Sequence, residues 1–249
     1  MSGHSKWHNI RLKKGKVDAQ RGKMFTKISR EILMAAKAGG GDPEANLTLK
    51  NAIIRAREVN MPADNIKRVI EKATGGAEGA NFEEIMYEGY GPHGVAVLVD
   101  AATDNRNRTA ADMRNLFAKN NGNLGDSGCV AWMFDKKGVI SIPGDAITED
   151  KLFELAIDAG AEDVKPTDDG FEVLTAPTDF AKVLGAIEKA KVKTESAELS
   201  MIPKTVVILG APEARAVLKL MDVLEDYDDV IHVYANFDIP AEVLEEVGA

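Results

Sequence analysis

The 249-residue sequence predicts an α+β protein: an N-terminal three-helix bundle, then two ferredoxin-like α/β lobes, one inserted in the other. Three observations predict it. Helical spacing of apolar residues is confined to residues 23–74. Beyond a glycine-bearing linker at 75–79 the apolar period drops from 3.6 toward 2. From there on, strand-like and helix-like stretches alternate in an order that spells βαββαβ twice, the second copy nested in the first. This places an arm and helical domain at 1–78, a split lobe at 79–135 and 204–249, and an inserted lobe at 136–203.

The first helix is predicted from Lys23. Met24, Phe25, Ile28, Ile32, Ala35 and Ala36 share one face, with Lys23, Lys27, Arg30 and Lys37 on the other, and Gly39-Gly40-Gly41 ends it. The second follows Asp42-Pro43 with Leu49, Ala52, Ile53 and Ala56 as its apolar stripe. Asn60-Met61-Pro62 breaks it, and Pro62 suits the start of a third helix carrying Ile66, Val69, Ile70 and Ala73. Residues 82–87 alternate loosely, and Val95–Val99 reads as a buried strand. A helix over about 107–119, a strand at 130–134, a turn at 135–138 and a strand at 139–142 follow. Then come a helix at 149–159, a strand at Val164, a strand at 171–174, a helix at 178–191 and a strand at 197–201. A strand at 205–209, a helix at 212–225 and a strand at 230–235 complete the pattern.

Charge is sorted along the chain. Residues 1–37 hold ten Lys and Arg against Asp18 and Glu31, a net +8, whereas the whole chain carries −9, so the rest carries −17. A basic arm on an acidic body suits contact with a polyanion. The candidate nucleic-acid contacts are therefore His4, Lys6, Trp7, Arg11, Lys13, Lys14, Lys16, Arg21, Lys23, Lys27 and Arg30, with Trp7 or His4 able to stack on an unpaired base. A second candidate is Thr103–Thr109, which joins a buried strand to a helix. It sets Arg106 and Arg108 beside a helix N-terminus, whose free N–H groups suit phosphate; the competing reading is a plain N-cap with exposed arginines.

Other signals point away from chemistry. Gly89-Tyr90-Gly91-Pro92-His93-Gly94 matches a dinucleotide fingerprint in letters, but a strand follows where a helix is required and Pro92 lacks an N–H, so a hairpin turn is expected. His4 and His8 have helical spacing without a third ligand, so no metal is expected. The plentiful carboxylates read as solvated surface, no nucleophile–base set stands out, and no cofactor, catalytic residue or small-molecule substrate is expected. One cysteine, Cys129, excludes an intrachain disulfide, and no run of eighteen apolar residues occurs. A cytoplasmic protein without membrane contact is expected, and, with no dimer seam in the pattern, a monomer.

Several blocks carry a resemblance. Gly3-His4-Ser5-Lys6-Trp7, Val17-Asp18-Ala19-Gln20-Arg21-Gly22-Lys23, Asn60-Met61-Pro62, Tyr87-Glu88-Gly89-Tyr90-Gly91-Pro92, Thr103–Thr109, Ala131-Trp132-Met133-Phe134 and Val233-Tyr234-Ala235-Asn236-Phe237 resemble the YebC/PmpR family over essentially the whole chain. The resemblance implies three domains and a cytoplasmic, non-enzymatic regulator of gene expression. Family members are described both as DNA-binding transcriptional regulators and as ribosome-associated translation factors that relieve stalling at proline-rich stretches, the latter including a mitochondrial activator of cytochrome oxidase subunit I translation. The expected partner is thus ribosomal RNA on the ribosome or, alternatively, duplex DNA. The Lys/Arg face of helix 23–37 is better suited to positioning than to reading bases, which favours RNA.

Overall fold

A computed structural model describes residues 19–75, 82–167 and 170–247. They form two compact units, Asp135–Ile202 and the remainder of the chain. The structure is α+β, as the periodicity predicts.

Helix α1, Ala19–Gly39, begins earlier than Lys23. It stops where Gly40 takes a φ of 87° and returns its N–H to Ala36 O at 2.9 Å, a left-handed turn that a side chain would strain. Asn46 then starts α2, Leu47–Glu58, by accepting the Leu49 N–H at 3.1 Å. The same buried side chain donates to Ala35 O and Gly40 O, both at 2.8 Å, so one residue caps α2 and closes the end of α1. After Asn60 at φ 59° and the buried Met61, α3 runs Ala63–Thr74 with Pro62 at its cap. Ile28, Ile32, Ala35 and Ala36 of α1 meet Leu49, Ala52, Ile53 and Ala56 of α2 and Ile66 of α3 in one core. These are the residues whose spacing predicts the helices.

In the same unit, β1 (Glu83–Tyr90) and β2 (Ala96–Thr103) form a hairpin in register from Tyr90↔Ala96 to Glu83↔Thr103. The glycine-rich letters fall at its tip, where Gly91 N donates to Val95 O at 2.8 Å and Pro92–Gly94 make one 3₁₀ turn. Helix α4 (Arg106–Lys119) and the short β3 (Asn123–Leu124) follow. Beyond the second unit come β8 (Val207–Ile208), α7 (Ala211–Glu225), β9 (Val230–Ala235), β10 (Phe237–Asp238) and α8 (Ala241–Glu246). The antiparallel sheet has the order β3-β1-β2-β9. Val97, Val99 and Ala101 of β2 pack with Met113 and Phe117 of α4 and Leu220, Met221 and Leu224 of α7. Ala96, Leu98 and Ala102, on the opposite face of β2, are also buried, and α1 lies against β2 and β9.

The second unit is built from β4 (Phe134–Pro143), α5 (Glu149–Ala159), β5 (Asp163–Pro166), β6 (Gly170–Thr175), α6 (Phe180–Lys189) and β7 (Ser196–Pro203). Its sheet order is β5-β6-β4-β7, that is second, third, first, fourth. Ile140, Ile142, Leu152, Ala156, Val173, Val183 and Ile187 are all buried. The split sheet has the same order if β2, β3 and β9 are its first, second and fourth strands.

Two strand expectations are corrected. The third place in the split sheet belongs to β1, which precedes the other strands in sequence, and not to residues 205–209. Only Val207 and Ile208 of that stretch are strand, paired in parallel with β10 in a separate two-stranded sheet. The strand expected at 130–134 is a 3₁₀ turn over Ala131–Met133, because the Glu88 carboxylate takes the N–H groups of Gly128, Val130 and Ala131 while Met133 and Phe134 turn theirs back to Val130 O and Ala131 O. The turn expected at 135–138 is continuous strand. Gly138 is needed there because a Cβ would stand 2.3 Å from Thr175 Oγ1 and 2.5 Å from the Phe180 ring.

Candidate nucleic-acid interface

Helix α1 is the first described element after the basic arm, and its own basic residues divide by position. Toward its C-terminal half it is covered on two sides, by α2 and α3 and by the sheet. One turn earlier, Lys27 Nζ donates to the carbonyl of Glu225, the last residue of α7, where the exposed carbonyls and the helix dipole favour a cation. Arg30 donates to Asp228 O, forms an ion pair with Asp229 Oδ1 at 2.9 Å, and lies 5.3 Å from the centre of the Phe82 ring. Glu31, buried between α1 and α2, pairs with Arg55 and stands 3.7 Å from His232 Nε2 on β9. Lys23 remains exposed.

Asp229 is the hub. It is 3% exposed and opens the turn into β9. Besides Arg30 it accepts Thr109 Oγ1 at 2.6 Å and Arg108 Nη2 at 2.9 Å. Burial pushes its carboxyl up, but the Thr109 hydroxyl, the Arg108 guanidinium and the charge of Arg30 outweigh that and hold it below the ordinary carboxylate range. Arg108 also reaches Asp104 at 2.9 Å, and both carboxylates raise its already high pKa. Next to it, Tyr227 donates to Asp112. Burial first, then that bond, pushes the phenol up to about 12.

The loop before α4 therefore has a different character from a bare phosphate cradle. Asn105 caps the helix by accepting the Arg108 N–H at 3.1 Å, and the Arg108 guanidinium is held by two carboxylates. Arg106 is exposed. Lys23, Arg30 and Arg108 share an open cleft of about 390 Å³ with Asp226, Tyr227, Asp228 and Asp229. Its mixed charge makes it a junction between α1 and the α/β lobe rather than an anion pocket. Of the sequence candidates, the structure thus brings together Lys23, Lys27, Arg30 and Arg108, and leaves Arg106 apart. His4, Lys6, Trp7, Arg11, Lys13, Lys14 and Lys16 lie outside the described residues, as does the side chain of Arg21.

The exposed face of α3, with Lys67, Arg68 and Lys72, is an addition that charge counting passed over, because acidic neighbours cancel it. Lys67 pairs with Glu71 at 3.8 Å, one turn along. The signal was available in spacing: 68 and 72 fall one turn apart, opposite Ile66 and Ile70. Among the described residues no three His, Cys, Asp or Glu are grouped to hold a metal ion, and no helix is long and apolar enough to cross a membrane.

Comparison with known proteins covers nearly the whole chain. Residues 5–76 match the TACO1/YebC protein N-terminal domain, and residues 82–237 match the TACO1/YebC second and third domain. A probable transcriptional regulatory protein of Trichlorobacter lovleyi is 58% identical over 247 residues, 99% of this chain and 100% of its own. One of the same description from Geobacter sulfurreducens is 57% identical with the same coverage. The crystal structure of a conserved hypothetical protein from Aquifex aeolicus superposes with a TM-score of 0.80 at 47% identity, covering 92% of this chain and 95% of that one.

Proposed function

Because the chain belongs to the TACO1/YebC family, we propose that it is a non-enzymatic, nucleic-acid-binding regulator of gene expression that acts as a ribosome-associated translation factor. In this reading it is a cytoplasmic monomer whose arm neutralises ribosomal RNA phosphates and which relieves stalling, for example at proline-rich stretches. The observation that carries the choice of RNA is the seat of α1. A helix that reads duplex DNA enters the major groove with a free face. Here α1 is covered by α2 and α3 on one side and by the sheet on another, and Lys27 and Arg30 are committed to Glu225, Asp228 and Asp229. On α1 itself Lys23 stays exposed, and together with the basic sequence before it suits a backbone contact rather than base reading.

A second reading, a DNA-binding transcriptional regulator, rests on the exposed Lys67, Arg68 and Lys72 of α3 and on the description shared by the bacterial relatives. Helices α2 and α3 are joined by only Val59–Pro62, a helix–turn–helix spacing.

The arm makes the first test. Replacing Lys13, Lys14 and Lys16 together by Ala should lower the slope of log affinity against log salt for ribosomal RNA by about 2–3 units, since each neutralised phosphate contributes roughly 0.7–0.9. An unchanged slope places the electrostatic contact elsewhere and removes the arm from the mechanism.

A further inference from the structure

One loop presents an aromatic ring to solvent in a fixed pose. Trp132 is 65% exposed, although it sits between the buried Val130 and Phe134. Glu88, only 5% exposed, points from β1 into the backbone of this loop and accepts the N–H groups of Gly128 at 2.6 Å, Ala131 at 2.7 Å and Val130 at 2.9 Å. Burial raises the Glu88 carboxyl, but the three N–H donors overcome it and keep it ionised and below its ordinary value. The loop is held at its other end too, for Lys204 Nζ donates to Trp132 O at 2.9 Å and Lys204 N to Met133 O at 2.9 Å.

The ring is fixed as well. Trp132 Nε1 donates to Cys129 O at 3.1 Å, and Tyr90, two residues beyond Glu88 on the same face of β1, brings its hydroxyl to that carbonyl at 3.4 Å. Tyr90 is 38% exposed. Two aromatic rings thus converge on one carbonyl with their polar edges turned inward.

We infer that Trp132, flanked by Tyr90, is a stacking platform for an unpaired nucleobase, a second nucleic-acid contact independent of the arm. The inference rests on the proposed nucleic-acid function and adds to it a site and a ligand class. An indole whose N–H is already satisfied offers only its π face, and every base has a matching one. The surroundings disfavour a protein partner. Asp126 and Ser127 of the same loop are exposed and polar, which tells against the broad apolar patch that a protein interface buries. Asp126 on the same loop also means that this contact works by stacking and not by charge. Preorganisation by Glu88 and Lys204 removes the ordering cost that a mobile ring would carry.

The chain has two tryptophans, Trp7 and Trp132, which makes the site observable. In full-length Trp7→Phe protein, Trp132 fluorescence is followed while a labelled single-stranded RNA is titrated, with anisotropy of the label reporting total binding. Quenching that tracks the anisotropy, and is absent with a perfectly paired duplex of the same sequence, is expected. In the otherwise natural chain, Trp132→Ala should weaken single-strand binding about 5- to 150-fold, the range for one lost base stack, with Trp132→Phe restoring part of it and the salt slope unchanged. Saturation by anisotropy without any change in Trp132 emission overturns the platform and leaves the arm as the contact. A loss accompanied by a smaller salt slope overturns it too, since the effect is then one of charge. No anisotropy change with either the natural chain or the Trp7→Phe protein removes the platform together with the function on which it rests.

Discussion

Asp229 shows how little a charge run reveals about its members. Asp226, Asp228 and Asp229 read alike in sequence, as solvated acids at a turn. Yet only Asp229 among them is buried, with Arg30, Arg108 and Thr109 closing around it. Arg108 was legible as a residue of interest because it follows a buried strand. Its partner was not, because the two lie 121 positions apart. With Asp229 held below the ordinary carboxylate range, its contribution to stability is present above about pH 4, the unfolded value, and is lost as pH falls through the folded value. Asp229→Ala should therefore destabilise the protein at neutral pH by about 1–3 kcal/mol, as leaving hydrogen-bond donors without their acceptor does, and should flatten the acid limb of a stability–pH profile. Chemical denaturation from pH 3 to 7 measures both. A variant as stable as the parent at pH 7 would show that Arg30 and Arg108 find other partners.

At the scale of elements, the helices were legible and the strand pairing was not. Helical spacing depends on neighbours within two turns, and Ile28, Ile32, Leu49, Ala52, Ile53 and Ile66 occupy the core their spacing implies. Strand placement depends on distant partners. Residues 130–134 look like strand, but Glu88 captures the N–H groups of Val130 and Ala131; residues 205–209 look like a central strand, but β1 holds that place. Asn46 is the element-level joint that can be tested most simply. Its side chain accepts from Leu49 N and donates to Ala35 O and Gly40 O, so Asn46→Ala removes a cap and leaves one buried and one part-buried carbonyl short of a donor. A loss of about 2–4 kcal/mol is expected, the cap contributing about 1 and the carbonyls the rest, whereas Asn46→Asp should keep the cap and lose only the donations. Equal losses in the two variants would place the whole effect in the donated bonds.

For the whole molecule, the sorted charge was readable from composition, and element order led to the expectation of a nested segment. The structure adds the place where the nested segment joins the rest. Met133 O accepts from Lys204 N at 2.9 Å, so the chain leaves and re-enters the first unit at neighbouring points. We therefore expect that replacing residues 136–202 with a short glycine-containing turn leaves a chain that unfolds cooperatively, with the β1–β2–β9 core intact. Loss of a single cooperative transition in thermal unfolding would mean that the segment is part of one folding unit with its host.

We propose that α1, enclosed by α2, α3 and the sheet, does not read a DNA groove and that the basic sequence before it contacts RNA. The most direct measurement places the full-length chain in parallel titrations, one against ribosomes by co-sedimentation and one against duplex DNA by anisotropy, over the same salt series. The account predicts ribosome binding that weakens with salt but survives at physiological ionic strength, with duplex binding that is sequence-independent and vanishes there. Sequence-selective duplex binding at physiological salt, lost on substituting Arg68 and Lys72 of α3 and accompanied by no ribosome association, would contradict it.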